Sequence, residues 1–512
     1  MERRERLHAT WLAECRAVDA SQLVNTGTEE RSFSDAEVAA LWARADQGFA
    51  PLNHAYVHVP FCKSICDFCN YERLRPSRPG LLQEWLDALE ARLSAIAPGL
   101  ERHTFHTLYI GGGTPSVLPA ALLARLFDVL DRVLRFSWRA NRAFELDPAV
   151  MDDRRLDVLA RRGVRHLSFG VQTLSAEVNA AHDRGPQSRD LVERRLEEFH
   201  ERGFGVSCDF LLGLAGTEPE GIFEEIEAVV ATGRPAWIDV YEVTPTPHYV
   251  EGHFGGDLDR FWAHRDRFRG APERLEAIAS DHGWVFVRSR GHRYTLARRT
   301  HSGLLDSLRP SYTQHPGEQG APLNLLGLGP SARSHLGGVA TLRYEEGWVG
   351  RELDPDDDLR GHLVIQLRDH DRVSRAEVLR LFGRDLHEAF PDAFAAWAAQ
   401  GRLDKTWREL RLATESRLER LATLLWLLPT ERLEWDIARR RGLPWDAASL
   451  AEALPAEIDG YRVETRRAAI RLGEHELRLV PALGEAPATF VAGDIPEELR
   501  PTLRRLWKAV PR

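Results

Sequence analysis

Between residues 54 and 245, short β-rich runs alternate with segments of helical period, and this alternation restricts the possible folds more than any other feature. The runs are HAYVHVP (54–60), TFHTLYIGGG (104–113), RAFELDP (142–148), VRHLSFGVQ (164–172), GVSCDFLLGL (205–214) and WIDVYEVTP (237–245). Segments such as LLQEWLDALEARLSAI and LLARLFDVLDRVLRF separate them, with apolar residues three and four apart. Strands joined through helices pair in parallel by right-handed crossovers. A doubly wound sheet and a (β/α) barrel both obey that rule, and the polar residues favour the barrel. Cys62 follows the first run, Gly111, Gly112, Gly113 and Thr114 close the second, and Glu145 and Asp147 end the third. Gln172 ends the fourth, and Asp209 lies in the fifth. A barrel gathers such groups at one mouth, whereas an open sheet concentrates them at a switch point. The expected fold is therefore α/β, a partial (β/α)6 barrel of the TIM type.

The stretch YVHVPFCKSICDFCNY (56–71) places Cys62, Cys66 and Cys69 on one loop, in a chain of 512 residues with 5 cysteines. The N-terminal MERRERLHATWLAEC has no apolar run of the export kind, and the longest apolar run, LATLLWLL (421–428), is too short to cross a bilayer. These features point to a reducing, cytoplasmic setting without a membrane partner, where a cysteine triplet is a metal site rather than a disulfide framework. A net charge of −9 argues against nucleic acid as a partner. Zinc in a structural site needs four ligands, and His58 is the available fourth donor. A cubane iron–sulfur cluster on three cysteines instead leaves one iron open to a small molecule with amino and carboxylate groups. The residue types leave both readings open.

Cys-x3-Cys-x2-Cys after a first strand resembles the radical S-adenosylmethionine (SAM) superfamily, and YVHVPFCKSICDFC resembles its oxygen-independent coproporphyrinogen III oxidase-like branch. The likeness continues in order through GGGTPS (111–116), FELDP (144–148), LSFGVQ (167–172), His-Asp-Arg (182–184), CDFLLGL (208–214) and GLGPSARS (327–334). It implies a barrel of radical SAM type, with Cys62, Cys66 and Cys69 as the catalytic centre holding a 4Fe–4S cluster. It further implies that Tyr56, Gly112 and Glu145 contact the SAM on that cluster. Phe68, Gly113, Thr114, Gln172, Arg184 and Asp209 would form the pocket for a second SAM. In the implied reaction the cluster passes one electron to SAM, a C–S bond breaks, and a 5′-deoxyadenosyl radical takes hydrogen from a small-molecule substrate. The electron donor would be of the flavodoxin or ferredoxin kind. Since the triple glycine lies on a different loop from the cysteines, bulky residues at Gly112 or Gly113 are expected to block SAM and leave cluster assembly intact.

Relatives on this scaffold oxidatively decarboxylate porphyrinogen propionates, transfer carbon from the second SAM to a secondary metabolite, or carry haem. The first activity is the leading expectation, with C-methylation or cyclopropanation second and a haem chaperone third. The chain departs from the oxidases at Tyr71, where they carry a further cysteine, and in residues 1–50, which lack their Tyr-Thr-Ser-Tyr-Pro-Thr-like segment. The chaperones' haem-binding signature is not found in SYTQHPGEQGAPLNLLGLG. Arg288, Arg290, Arg293, Arg298, Arg299 and Arg309 are either propionate partners or a solvated face, with Tyr312 and His315 as further substrate contacts. Cys208 is expected to point into the core, away from Asp209, and Cys15 to be unrelated to the cluster.

Four segments are expected. Residues 1–50 form a helical extension, 51–345 the barrel, 346–430 a small, mainly helical, winged-helix-like C-terminal domain, and 431–512 a further segment of no assigned role. The acidic stretch 354–358 is expected to be a solvated linker turn, and YRVETRR and HELRLVP to pair as a hairpin.

Overall fold

The computed structural model describes residues 2–14, 31–45, 52–288 except 186, 293–299, most of 323–430, 432–434, 437, and strands between 457 and 491. Cys15, Arg290, Arg309, Tyr312 and His315 lie outside the described residues. Contacts divide the chain into two compact units, Arg31–Asp358 and, separately, Met1–Glu30 with Leu359–Arg512.

In the first unit all six expected strands form: β1 (Leu52–Val59), β2 (Thr104–Gly112), β3 (Arg135–Leu146), β4 (His166–Gln172), β5 (Gly205–Leu212) and β6 (Trp237–Glu242). Each pairs in parallel with the next. Helices α1 (Leu81–Leu100), α2 (Ala120–Val133), α3 (Asp153–Arg161), α4 (Arg189–Glu201) and α5 (Pro219–Ala231) make the crossovers. Their local reasons are visible in the sequence. Leu123, Leu126, Phe127 and Leu130 form a buried stripe on α2. Asp152 caps α3 by accepting the Arg155 N–H at 2.9 Å, and Pro219 opens α5 where its missing N–H costs nothing.

A seventh parallel strand was not foreseen. After β7 (Trp284–Arg288) and β8 (Arg293–Arg298), which pair antiparallel beyond β6, the chain returns so that β9 (Leu323–Leu328) runs parallel to β1. LNLLGL is a short apolar run without alternation, a pattern that periodicity does not separate from a buried helical segment. From β9 the sheet continues antiparallel through β10 (Arg333–Leu336), β11 (Ala340–Tyr344) and β12 (Trp348–Glu352) to Arg31–Phe33, so it is a partial barrel extended at both edges. Gly329, just after β9, has φ +98°, and a Cβ there would collide with the His58 carbonyl oxygen. The second glycine of GLGPSARS thus serves close packing between β9 and β1.

Residues 1–50 do not act as one extension. Phe33, Val38, Leu41 and Trp42 enter the barrel core, and Trp348 Nε1 donates to Asp35 at 2.9 Å. Helix Glu2–Glu14 belongs to the other unit, where Leu7 and Trp11 pack with Leu425, Leu428, Leu433 and Ile437. The acidic stretch also departs from expectation. Asp357 and Asp358 are buried, Arg351 donates to Asp357 at 2.5 Å, and the Gly338 N–H donates to Asp358 at 2.6 Å.

The second unit contains a three-stranded sheet of Arg372–Ser374, Glu409–Leu412 and Leu403–Lys405, with helices Arg375–Phe382 and Pro391–Ala399. This is the mainly helical, winged-helix-like element that was expected. Tyr461–Arg466 and His475–Val480 share a five-stranded sheet but do not pair, because Ala469–Leu472 lies between them. No helix among the described residues is long and apolar enough to cross a membrane.

Trp11 is 1% exposed. Trp11→Ala should cost about 3–5 kcal/mol in the unit that contains it, read as a lower denaturant midpoint, while iron uptake by the cysteine loop stays unchanged.

Candidate active site

Along each parallel strand, residues alternate between two destinations. Val57, Ile110, Phe144, Phe169, Cys208 and Val240 enter the apolar core. Tyr56, Tyr109, Glu145, Gln172, Asp209 and Tyr241 line one cavity at the carboxyl ends of the strands. That cavity is also lined by Cys62, Cys66, Phe68, Cys69, Gly112, Gly113, Thr114 and Arg184. The three cysteines and every residue that the resemblance marked as a SAM contact therefore reach the same space. Cys208 is fully buried on the core side, as the period-two rule requires.

The cysteine loop is laced to the ends of β1 and β2. The Cys62 N–H donates to Leu74 O at 3.0 Å, Gly113 N–H to Val59 O at 2.8 Å, and Thr114 N–H to Phe61 O at 2.7 Å. The Thr114 hydroxyl donates to Cys62 Sγ at 3.5 Å, and an Arg184 nitrogen lies 3.9 Å from Cys66 Sγ. Arg184 also donates to the Gly170 carbonyl and, through Nε, to Gln187 at 3.2 Å. Gln172 adopts φ 65°, a left-handed conformation that costs a non-glycine residue energy and that clusters at functional sites.

The glycines have different jobs. Gly112 has φ +113°, and a Cβ there would meet the His58 ring at 2.7 Å. A Cβ on Gly113 would meet Phe61 O at 2.7 Å and Cys62 Sγ at 2.9 Å. The expectation that Gly113 variants spare the cluster is therefore corrected, since this glycine packs directly on a cysteine ligand candidate.

His58 is not a fourth ligand. Its Nε2 faces the Glu72 carbonyl at 2.8 Å, and its Nδ1 faces the Tyr56 hydroxyl at 2.9 Å. A carbonyl only accepts, so Nε2 carries the proton and Nδ1 accepts from Tyr56. Burial pushes its pKa down and keeps the ring neutral.

Comparison with known proteins agrees with this geometry. Residues 56–229 match the Radical SAM superfamily. An oxygen-independent coproporphyrinogen III oxidase of Salmonella typhimurium is 33% identical over 412 residues, covering 75% of this chain and 87% of that protein. The heme chaperone HemW of Bacillus subtilis is 25% identical over 385 residues, covering 72% and 97%. The solved coproporphyrinogen III oxidase (HemN) of Escherichia coli shares the fold, with a TM-score of 0.62, 21% identity, and coverage of 76% and 92%. The chain is a radical SAM enzyme of the coproporphyrinogen III oxidase-like branch.

Radical SAM enzymes bind a 4Fe–4S cluster and SAM, and the donor set here fits the cluster. Cys62, Cys66 and Cys69 are free thiols, and no fourth thiol or imidazole lines the cavity among the described residues. Burial pushes the Cys62 thiol up to about 11 and also raises Cys69, so a soft cation is what converts them to thiolates at neutral pH. The sequence reading missed part of the wall, including Tyr71, Arg73 and Tyr109, and the end of the sixth strand with Tyr241, Glu242, Val243 and Thr244. The strand-end rule that selected Glu145 and Gln172 would also have selected Glu242. Arg293, once a candidate anion partner, instead donates to buried Asp239 at 2.8 Å, and Arg298 donates to Gly233 O at 3.0 Å.

Glu145 is partly buried on the cavity wall, and burial raises its pKa from 4.5 to about 7, opposed by the Gly112 N–H and by Arg184. A raised carboxylate contributes stability below pH 4.5 that is lost as pH rises through about 7. Apoprotein carrying Glu145→Gln should therefore gain on wild type between those limits, by on the order of 2–3 kcal/mol at about 1.4 kcal/mol per pKa unit. Denaturant midpoints at pH 5 and pH 8 test this, and an equal difference at both would contradict it.

Proposed function

We propose that the chain catalyses radical SAM oxidation of a porphyrinogen-type small molecule, in the manner of oxygen-independent coproporphyrinogen III oxidase, with two SAM molecules per chain. The observation that carries this reading is the single cavity joining the three cysteines to Gln172, Arg184 and Asp209. Those three residues are the ones that a second SAM, beside the one on the cluster, would meet in this cavity.

Cys62, Cys66 and Cys69 would hold the cluster, which when bound supplies the electron that cleaves SAM. The chain's own residues do the rest. Gly112 and Gly113 let the backbone pass against His58 and Cys62, where a side chain would collide, and the Gly112 N–H donates to Glu145 at 3.2 Å. Glu145, raised to about 7 by burial, would release its proton to solvent beside a cationic amino or sulfonium group and act as the counter-ion of that group. Arg184, tied to the β4 backbone and next to Cys66, fixes the loop relative to the second pocket. Asp209 offers carboxylate oxygens to ribose hydroxyls. A small acidic electron carrier of the flavodoxin or ferredoxin class would reduce the cluster.

Equilibrium binding to reconstituted protein should approach two SAM per cluster. Asp209→Ala should weaken one of them about tenfold or more, the loss of a charge-assisted hydrogen bond of roughly 1.5–3 kcal/mol. Anaerobic incubation with coproporphyrinogen III and a strong reductant should give 5′-deoxyadenosine, carbon dioxide and a vinyl product. SAM cleavage without carbon dioxide would sink the porphyrinogen assignment.

A second reading, C-methylation of another small molecule, has its own support. Tyr71, 52% exposed, stands on the cavity wall where the oxidases have cysteine, and the wall's arginines, Arg73 and Arg184, are already hydrogen-bonded to backbone carbonyls. Methylthioadenosine or S-adenosylhomocysteine beside 5′-deoxyadenosine would select it.

A further inference from the structure

Asp67 lies between Cys66 and Cys69, and its carboxylate points away from the thiols into a cluster of aromatic rings. His182 Nδ1 lies 2.9 Å from one carboxylate oxygen and 3.3 Å from the other. His253 Nε2, from α6 (Pro247–Phe254), lies 2.5 Å from the second oxygen. His182 Nε2 meets the Ala215 carbonyl at 2.9 Å, and the Asp67 N–H reaches back to the His182 carbonyl at 3.4 Å. His182 is fully buried, stacks on Tyr249 at 5.7 Å, and touches Phe68 edge-on at 6.0 Å. Tyr249 in turn accepts the Ala215 N–H at 2.8 Å.

Two histidines and a carboxylate are also a metal-ligating set, since their donor atoms lie within 4.8 Å of one another. Distance decides between the two chemistries. Ligands about 2.0–2.1 Å from a tetrahedral zinc stand roughly 3.3 Å apart, well beyond hydrogen-bond spacing. The contacts of 2.5 and 2.9 Å are hydrogen bonds, with both nitrogens of His182 facing acceptors.

We propose that Asp67, His182 and His253 form a hydrogen-bonded clamp that fixes the positions of Cys66, Cys69 and Phe68 relative to the barrel. The proposal rests on the reading of the cysteines as cluster ligands. Asp67 lies between two of them and hydrogen-bonds both to His182, at the end of helix Ala176–Ala181, and to His253 on the helix after β6. None of the three residues lines the cavity; they are positioning residues, acting through the cysteines and Phe68. The same tie gives the His of the His-Asp-Arg motif a role distinct from that of Arg184, two residues on.

The test uses full-length protein reconstituted anaerobically, with Asp67→Ala and His253→Phe, and with His253→Gln to restore an N–H donor. The first two should release iron to a chelator about 10–100-fold faster than wild type, the usual penalty for losing an outer-shell partner. They should also change the electron paramagnetic resonance signal of the reduced cluster with SAM bound, and His253→Gln should recover both properties. In apoprotein, hydrogen exchange over 62–70 should rise in Asp67→Ala. Wild-type protein that takes up no iron would sink the cluster reading, and the exchange measurement alone would then decide the clamp. Iron release, spectrum and exchange all at wild-type values would overturn the clamp. So would stoichiometric zinc that survives Cys62, Cys66 and Cys69→Ala and is lost in His253→Phe.

Discussion

Everything in the barrel unit depends on the partition of each parallel strand into an apolar and a polar face. Register between neighbours holds the partition across the sheet: Tyr56 lies beside Tyr109, Glu145 beside Ser168, and Asp209 beside Asp239. A slip of one residue in any strand would send its cavity-facing side chain into the helix-packed core. The polar face is stabilised by its own bonds, His54 to Thr107 at 2.7 Å and His166 to Ser207 at 3.0 Å, with His166 stacked on Trp237 at 4.0 Å. These pairs satisfy buried groups that would otherwise cost desolvation energy. They make a polar barrel interior compatible with a folded protein.

The site is built against stability as well as by it. Glu145 is desolvated enough to hold its proton up to about pH 7, Gln172 is held in a left-handed conformation, and the Cys62 and Cys69 thiols are desolvated. Each arrangement carries a cost in the protein alone, and a cation beside Glu145 or a cluster on the thiols would offset the desolvation part of it. This is preorganisation in the ordinary electrostatic sense: the groups are oriented before the ligand arrives, so little reorganisation remains. The surrounding scaffold can bear the cost because the sheet is long, its apolar face is covered by helices, and antiparallel strands extend the parallel part on both sides.

The sixth-strand wall of the cavity has a different character from the cysteine side. Glu242 is paired with Arg265 and accepts from Tyr294 at 3.0 Å, while Arg293 is consumed by Asp239 beneath Tyr241. The sixth-strand wall is thus a set of neutralised pairs rather than a bed of free cations. Such a wall selects by shape and hydrogen bonding as much as by charge.

Much of the barrel and of the cavity lining was legible in the sequence, because both follow from local rules. Period two chooses the face, helical period chooses the crossovers, and polar residues at strand ends meet wherever parallel strands close into a barrel. Cys62, Glu145, Gln172 and Asp209 could be placed together on those grounds alone. What the sequence concealed depends on partners distant in the chain. Nothing local distinguishes LNLLGL as a seventh parallel strand until it is seen against β1, or joins helix Glu2–Glu14 to residues 425–437 rather than to the barrel. Asp357 and Asp358 look like a solvated turn until Arg351 and the Gly338 N–H are found beside them. His253 lies 186 positions from Asp67, and no periodicity relates them. Local chemistry is written in short windows of sequence; the pairing of buried polar groups is a long-range problem that only the closed fold solves.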